Sequence, residues 1–420
     1  MASSESRRSF LSGASLVLPD RVVSGQTLVL EDHRIVDFIS GPRETGPREV
    51  RVNLDGHFIV PGFIDIHVHG VAGTDVLDDD AAVATVAERL PRWGVTAFCP
   101  TSVACPPDVL DRFLGEVARV REAKPDRRAR VLPAHIESNF VNPEFRGAQP
   151  LACLRVPADL TGRPSHSSSH ATGSSRRDFT TRDILEVMKR RRADIAIVTL
   201  APELAGGLDL TRTLVASGVR VSLGHSAATF EEAQEAIGAG ARQATHLFNR
   251  MRPMSHRDPG LVGAALASDE VAVELICDGH HVHPAVMRFA IAAKGPSRTI
   301  AITDGTAGSG LAPGAKANLG GQPITVSDVA RLSDGTMAGS VLTMDRAFAG
   351  LVTRCGFDLV QAAEMCATTP ARELGLIGHG VIASGAIADL TVLDSRLQVV
   401  QTWIGGERVW GKGGEEPPKG

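Results

Sequence analysis

FIDIHVHG, residues 63–70, sets apolar side chains against Asp65, His67 and His69 and closes on a glycine. Alternation with a period of two reads as a β-strand. On a strand, positions 67 and 69 share a face, so both imidazoles point the same way. An isolated His-x-His pair is a weak signal, but later apolar runs end in the same manner. VLPAHIE (131–137) ends on Glu137, VRVSLGH (219–225) on His225 and IAITD (300–304) on Asp304, and ARQATHLFN (241–249) carries His246. Imidazole and carboxylate donors suit zinc and other borderline divalent ions, with iron, manganese and cobalt also compatible. A carboxylate can also bridge two ions. His67, His69, Glu137, His225, His246 and Asp304 are therefore read as metal ligands for one or two divalent ions, zinc first. Asp304, which precedes GTAGSG (305–310), is also the candidate catalytic acid–base. Such a carboxylate takes a proton from water and returns it to a leaving amine. Its structural alternative is a turn or helix-capping aspartate.

Outward from these runs, the middle of the chain alternates short β-rich stretches with amphipathic ones. Eight β-rich runs are read at 63–70, 95–102, 131–138, 195–203, 219–226, 241–249, 272–279 and 300–305. Helical patterns lie between them, among them 81–94, 107–123 and 230–240, several with a glycine at the end, as a left-handed C-cap prefers. This rhythm predicts an α/β fold, a (β/α)₈ TIM-like barrel of residues 61–383, whose chemistry belongs at the C-terminal strand ends. The doubly wound alternative lacks a GxGxxG turn after its first strand. Both ends of the chain read as short strands, which predicts a small β-sandwich domain made of 1–60 plus 384–412. Residues 161–178, rich in Ser, His and Arg, are expected to be a flexible insertion, and His166 and His170 in it are not taken as ligands. Residues 310–340 read as a β-hairpin excursion, and 413–420 as a disordered tail.

The bulk numbers narrow the functions. The chain has 420 residues, 43% hydrophobic content and 44 basic against 48 acidic side chains, a net charge of −4. That balance argues against a nucleic-acid partner. Six cysteines show no metal-finger spacing and suit buried free thiols in a reducing cytoplasm. No apolar run reaches the ~18–20 residues of a membrane span. SRRSFL (6–11) has the look of a twin-arginine signal, but its apolar stretch stops at Pro19-Asp20, so it is read as a first strand with a basic leader. Asn249, Arg257, His280, His281 and His283 form a polar set near the sixth and seventh runs, of a kind that suits a phosphate.

At these residues the chain resembles the N-acetylglucosamine-6-phosphate deacetylases of the amidohydrolase superfamily. The matching stretches are PGFIDIHVHG (61–70), GVTAFCPTSV (94–103), VTLAPE (198–203), VSLGHSAATFEEA (221–233), ATHLFNRMRPMSHRDPGLVGAAL (244–266), DGHHVHP (278–284), ITDGTAGSGL (302–311) and AGSVLTMDRA (338–347). The resemblance implies Glu137, His225 and His246 as the main metal ligands, His67 and His69 as a second-site pair kept by some members, and Asp304 as the catalytic aspartate. It implies phosphate-binding roles for Asn249, Arg257 and His281, with the adjoining Arg250 included as a substrate-binding candidate. It also implies a homodimer in which some phosphate contacts cross the interface. The chain departs from the family pattern in one place. Glu137 is followed by Ser138-Asn139 where Gly-Pro is usual, and Arg146-Gly147-Ala148-Gln149 stands where the family has Lys-Gly-Ala-His. That histidine normally helps polarise the acetyl carbonyl, whereas Gln149 offers an N–H but no charge. The expected activity is metal-dependent removal of acetyl from N-acetylglucosamine 6-phosphate or a closely related N-acyl amino-sugar phosphate. The rival readings are an amidohydrolase or lyase of specialised metabolism and an inactive barrel scaffold.

Overall fold

The computed structural model describes residues 8–41, 49–123, 127–159 and 179–412. The insertion expected at 161–178, with His166 and His170, and the tail at 413–420 lie outside the described residues. All eight predicted β-rich runs contain strands of one parallel sheet: β1 (Phe63–Val68), β2 (Val95–Ser102), β3 (Ala134–Glu137), β4 (Ile195–Leu200), β5 (Arg220–Leu223), β6 (Gln243–Ala244), β7 (Ala272–Ile276) and β8 (Thr299–Ile302). Each pairs with the next in chain order, with registers such as Ile197 opposite Arg220 and Leu275 opposite Ala301. Every residue of β1, β2 and β3 is buried, as expected of a parallel sheet covered on both faces.

Helices α1 (Ala82–Arg89), α2 (Pro107–Glu122), α3 (Thr181–Arg190), α4 (Gly207–Ala216), α5 (Phe230–Gly238), α6 (Gly260–Ala267), α7 (Pro284–Lys294) and α8 (Met344–Thr353) follow the strands in turn. Helix α1 runs into a short 3₁₀ turn, Leu90–Trp93, capped by Gly94 at φ 79°. That left-handed position favours glycine. Helix α5 opens on a capping box: Thr229 accepts from the Glu232 amide, and Glu232 accepts from the Thr229 amide. The loop after His225 thus passes into its helix at a defined residue.

The barrel closes between β8 and β1. The Asp304 amide donates to the His67 carbonyl at 2.9 Å, and Val68 bridges Gly305. Asp65, wholly buried, takes the Thr303 hydroxyl at 2.5 Å. Burial raises its pKa to about 6 against these hydrogen bonds.

Both chain ends enter the same β-structure. A six-stranded sheet joins Ser15–Val17, Val22–Val23 and Phe58–Pro61 to Leu390–Leu393, Val399–Ile404 and Glu407–Gly411. A four-stranded sheet holds Arg8–Ser12, Gln26–Glu31, Arg34–Ser40 and Glu49–Asn53. The two share an apolar cluster that includes Leu11, Leu28, Ile59, Leu390 and Trp403. The stretch after β8 folds as a three-stranded antiparallel sheet, Lys316–Leu319, Gln322–Val326 and Ala330–Arg331, one short strand more than the hairpin expected. No helix among the described residues is long and apolar enough to cross a membrane.

Candidate active site

The six candidate ligands converge at the C-terminal mouth of the barrel. They fall into two buried groups, Glu137–His225–His246 and His67–His69–Asp304. In the first group, Glu137 Oε1 lies 2.8 Å from His225 Nε2 and 2.9 Å from His246 Nε2. In the second, Asp304 Oδ1 lies 3.4 Å from His67 Nε2 and 3.2 Å from His69 Nε2. Glu137 stands between them, with His67 Nε2 at 3.8 Å and His69 Nε2 at 3.6 Å. One carboxylate is therefore within reach of both groups.

The local backbone helps to aim these side chains. His225, His246 and Asp304 have φ of 48°, 30° and 47°. Left-handed backbone at a residue other than glycine costs about 1–3 kcal/mol and clusters at functional sites. Here it ends the strand and turns the chain at the candidate ligand itself.

The hydrogen bonds fix which ring nitrogen faces inward. His69 Nδ1 lies 3.0 Å from the Thr101 carbonyl, His225 Nδ1 2.8 Å from the Phe145 carbonyl, and His67 Nδ1 3.0 Å from the Glu274 carboxylate. Each partner is an acceptor, so each Nδ1 carries the proton and each Nε2 turns a lone pair inward. The inward nitrogens of His67 and His69 approach to 3.3 Å, and His246 Nε2 comes to 3.1 Å from His225 Nε2. Facing lone pairs repel unless a cation or a proton lies between them. The donor set therefore fits divalent ions, which prefer neutral imidazole and carboxylate.

The surrounding carboxylates draw positive charge to these rings, which a proton on His67 or a bound cation supplies. Burial alone would raise Glu137, but His225 and His246 hold it well below the usual carboxylate range. Burial alone would lower His67, but Asp304, Glu274 and Glu137 raise it to about 10. Asp304 is likewise pulled below its ordinary value by His67 and His69 against the effect of burial.

A cavity of about 400 Å³ opens on this centre. Gln149, Asn249, Arg250 and His281 line it together with His69, Glu137, His225, His246 and Asp304. Arg257 does not line it; this side chain is exposed on the loop before α6. Gln149 is buried, its Oε1 accepts from the Ala104 amide at 2.7 Å and its Nε2 donates to Glu137 Oε2. Ser138 and Asn139 turn away from the cavity: Ser138 donates to the Thr199 carbonyl at 2.6 Å, and Asn139 to the Cys105 and Cys153 carbonyls at 2.9 and 2.7 Å. His281 bonds Asp278 at 2.6 Å, and that carboxylate raises its pKa against the lowering effect of burial.

Sequence reasoning missed Glu274 and His135. Glu274 is a wholly buried carboxylate inside the apolar run VAVELIC, and that isolated charge was the available signal. His135, two residues before Glu137, is also wholly buried, with Nδ1 at 3.1 Å from the Ile66 carbonyl and Nε2 at 2.8 Å from the Thr199 hydroxyl.

The model of the Amidohydrolase family matches residues 58–409. An N-acetylglucosamine-6-phosphate deacetylase of Lysinibacillus sphaericus is 37% identical over 355 residues, covering 83% of this chain and 84% of that protein. The chain belongs to the N-acetylglucosamine-6-phosphate deacetylase family of amidohydrolases. Its relatives in this deacetylase family include an N-acetylgalactosamine-6-phosphate deacetylase of Escherichia coli O157:H7, 34% identical over 384 residues, 90% of this chain and 95% of that one. A mutant of the Mycobacterium smegmatis deacetylase, solved in complex with N-acetyl-D-glucosamine-6-phosphate, superposes with a TM-score of 0.81 at 30% identity, covering 96% of this chain and 99% of that one.

Proposed function

We propose that this amidohydrolase removes the acetyl group from N-acetylglucosamine 6-phosphate. The observation that carries the reading is the pair of buried donor groups joined by Glu137 at the floor of the cavity. We assign Glu137, His225 and His246 to one divalent ion, with zinc the first candidate, and His67, His69 and Asp304 to a second. When bound, the metal supplies Lewis-acid polarisation of water and of the acyl oxygen.

The remaining chemistry belongs to the chain. Asp304, held ionised beside His67 and His69, takes the proton of the attacking water. It then delivers that proton to the nitrogen as the C–N bond breaks, which frees acetate and the amine. Gln149 has one N–H committed to Glu137, and its second is the donor assigned to the acyl oxygen. Asn249, Arg250 and His281, at the cavity wall and rim, are assigned to the sugar phosphate, with Asp278 holding the His281 ring through its Nδ1. Arg257, exposed and away from its own cavity, is assigned to the phosphate of a second subunit in a homodimer. The six cysteines are all free thiols, which supports a cytoplasmic setting.

The galactosamine epimer is the second reading, favoured by the similarity to the Escherichia coli N-acetylgalactosamine-6-phosphate deacetylase. Acetate release from both phosphorylated epimers and from unphosphorylated N-acetylglucosamine tests the assignment. Highest kcat/KM on the phosphorylated glucosamine compound supports it. Equal rates with and without the phosphate would overturn the roles given to Arg250, Arg257 and His281.

A further inference from the structure

Behind the candidate ion sites a chain of buried polar groups crosses the barrel. Arg220, at the start of β5, donates from Nε to Gln243 Oε1 at 2.7 Å, and from its other nitrogens to the Arg242 carbonyl at 2.9 Å and Glu373 at 2.5 Å. Gln243 Nε2 donates to Glu274 Oε1 at 2.5 Å. Glu274 Oε2 accepts from His67 Nδ1 at 3.0 Å and from the His246 amide at 3.2 Å. Gln243, Glu274 and His67 are completely buried, so water cannot substitute for any of these partners.

The direction of every link is forced. A guanidinium has no acceptor, so the Gln243 oxygen must face Arg220 and its nitrogen must face Glu274. Glu274 therefore accepts on both oxygens. His67 must carry its proton on Nδ1, which leaves the Nε2 lone pair toward His69 and Asp304. A buried charge in the middle of a strand is costly to keep, and here three donors converge on it.

We propose that Glu274 is the positioning residue of the His67–His69–Asp304 ion site, and that its orientation is set through Gln243 by Arg220 at the opposite end of the barrel. This rests on the metal-centre reading above. A glutamine at position 274 has the shape of the native side chain but brings its own N–H₂ group. That group would face either the Gln243 donor or the His67 and His246 donors, and Gln243 cannot turn over without opposing Arg220. One donor–donor contact is unavoidable, against Gln243 or against the His67 and His246 donors, so the support of the His67 ring is weakened. The other ion site keeps all three of its own ligands.

Cobalt(II) titration of the metal-stripped full-length protein, followed by visible absorption, reads each ion separately. Two ions are expected for the native chain. In Glu274→Gln the ion held by Glu137, His225 and His246 should keep its affinity within about threefold, while the second weakens by about 10–100-fold. Gln243→Met, which removes the donor to Glu274, should weaken the second ion in the same direction by a smaller factor, and it decides the matter if Glu274→Gln does not fold. Unchanged second-ion affinity, equal weakening of both ions, or a native chain that takes only one ion would overturn the proposal. A native chain that takes no ion would instead overturn the metal-centre reading itself.

Discussion

Replacing Asp304 by asparagine separates its chemistry from its structure. The residue is buried, with Oδ1 at 3.2 Å from His69 Nε2 and 3.4 Å from His67 Nε2. Its backbone closes the barrel: the amide donates to His67 at 2.9 Å and the carbonyl accepts from Ser340 at 2.8 Å. Asparagine keeps the side-chain shape and tolerates the φ of 47° found there. Alanine would add about 1–2 kcal/mol of left-handed strain. Asp304→Asn should therefore keep the fold, with a lowered Tm because a buried carboxylate paired with His67 and His69 is neutralised. What it loses is the ability to hold a proton. General acid–base catalysis contributes about 10²–10⁴ in rate, or about 3–5.5 kcal/mol of barrel-mouth chemistry removed at one side chain. The assay is acetate release at saturating substrate, with metal content measured on the same preparation. The ion held by Glu137, His225 and His246 should remain. A kcat within tenfold of the native value, with that ion present, would refute the role given to Asp304.

Three further outcomes follow from the same geometry. Gln149→His should raise deacetylation of N-acetylglucosamine 6-phosphate by about tenfold or more, since a chargeable donor at the acyl oxygen is worth up to ~10²–10³; an unchanged kcat would place position 149 away from the carbonyl. Arg257→Ala should raise KM by about 10–100-fold through loss of a charged phosphate contact, and mixing it with Asp304→Asn should restore activity in heterodimers, which would not happen if Arg257 served its own subunit. Asp389→Asn should destabilise the chain by about 3 kcal/mol, because buried Asp389 binds Arg130 at 2.9 and 3.1 Å and the Gly405 amide at 2.7 Å. Burial would raise Asp389, but His379 and Arg130 hold it below its ordinary 3.8. Its stabilisation is thus complete above that value and lost as pH falls through the lowered one. The Tm gap between native and variant proteins should close in strong acid, as pH falls through the lowered value; a gap that stays fully open there would contradict the pairing.

The barrel was legible because its strands are buried on both faces and end in polar side chains, so apolar runs and candidate ligand positions mark the same residues. His67, His69, Glu137, His225, His246 and Asp304 could be read as one series for that reason. Strand β6 was harder: the run 241–249 contributes only Gln243–Ala244 to the sheet, since the chain leaves it for the turn that aims His246. Glu274 escaped notice because its partner His67 lies 207 residues earlier and meets it only once the barrel closes. Arg257 reads as part of the polar set near Asn249, yet the fold carries it out to solvent while Asn249 stays at the cavity. Spacing in sequence reports which strand end a residue follows, but not which way a loop travels after leaving the barrel.

The central claim is that these strand-end side chains form a metal centre that hydrolyses the acetamide of a phosphorylated amino sugar. Its most direct test strips the protein with a chelator and follows acetate release from N-acetylglucosamine 6-phosphate as zinc is returned one equivalent at a time. The account predicts negligible release without metal and recovery that saturates at one or two equivalents per chain. Full activity in the stripped protein, or no acetate from a protein holding its zinc, would contradict it.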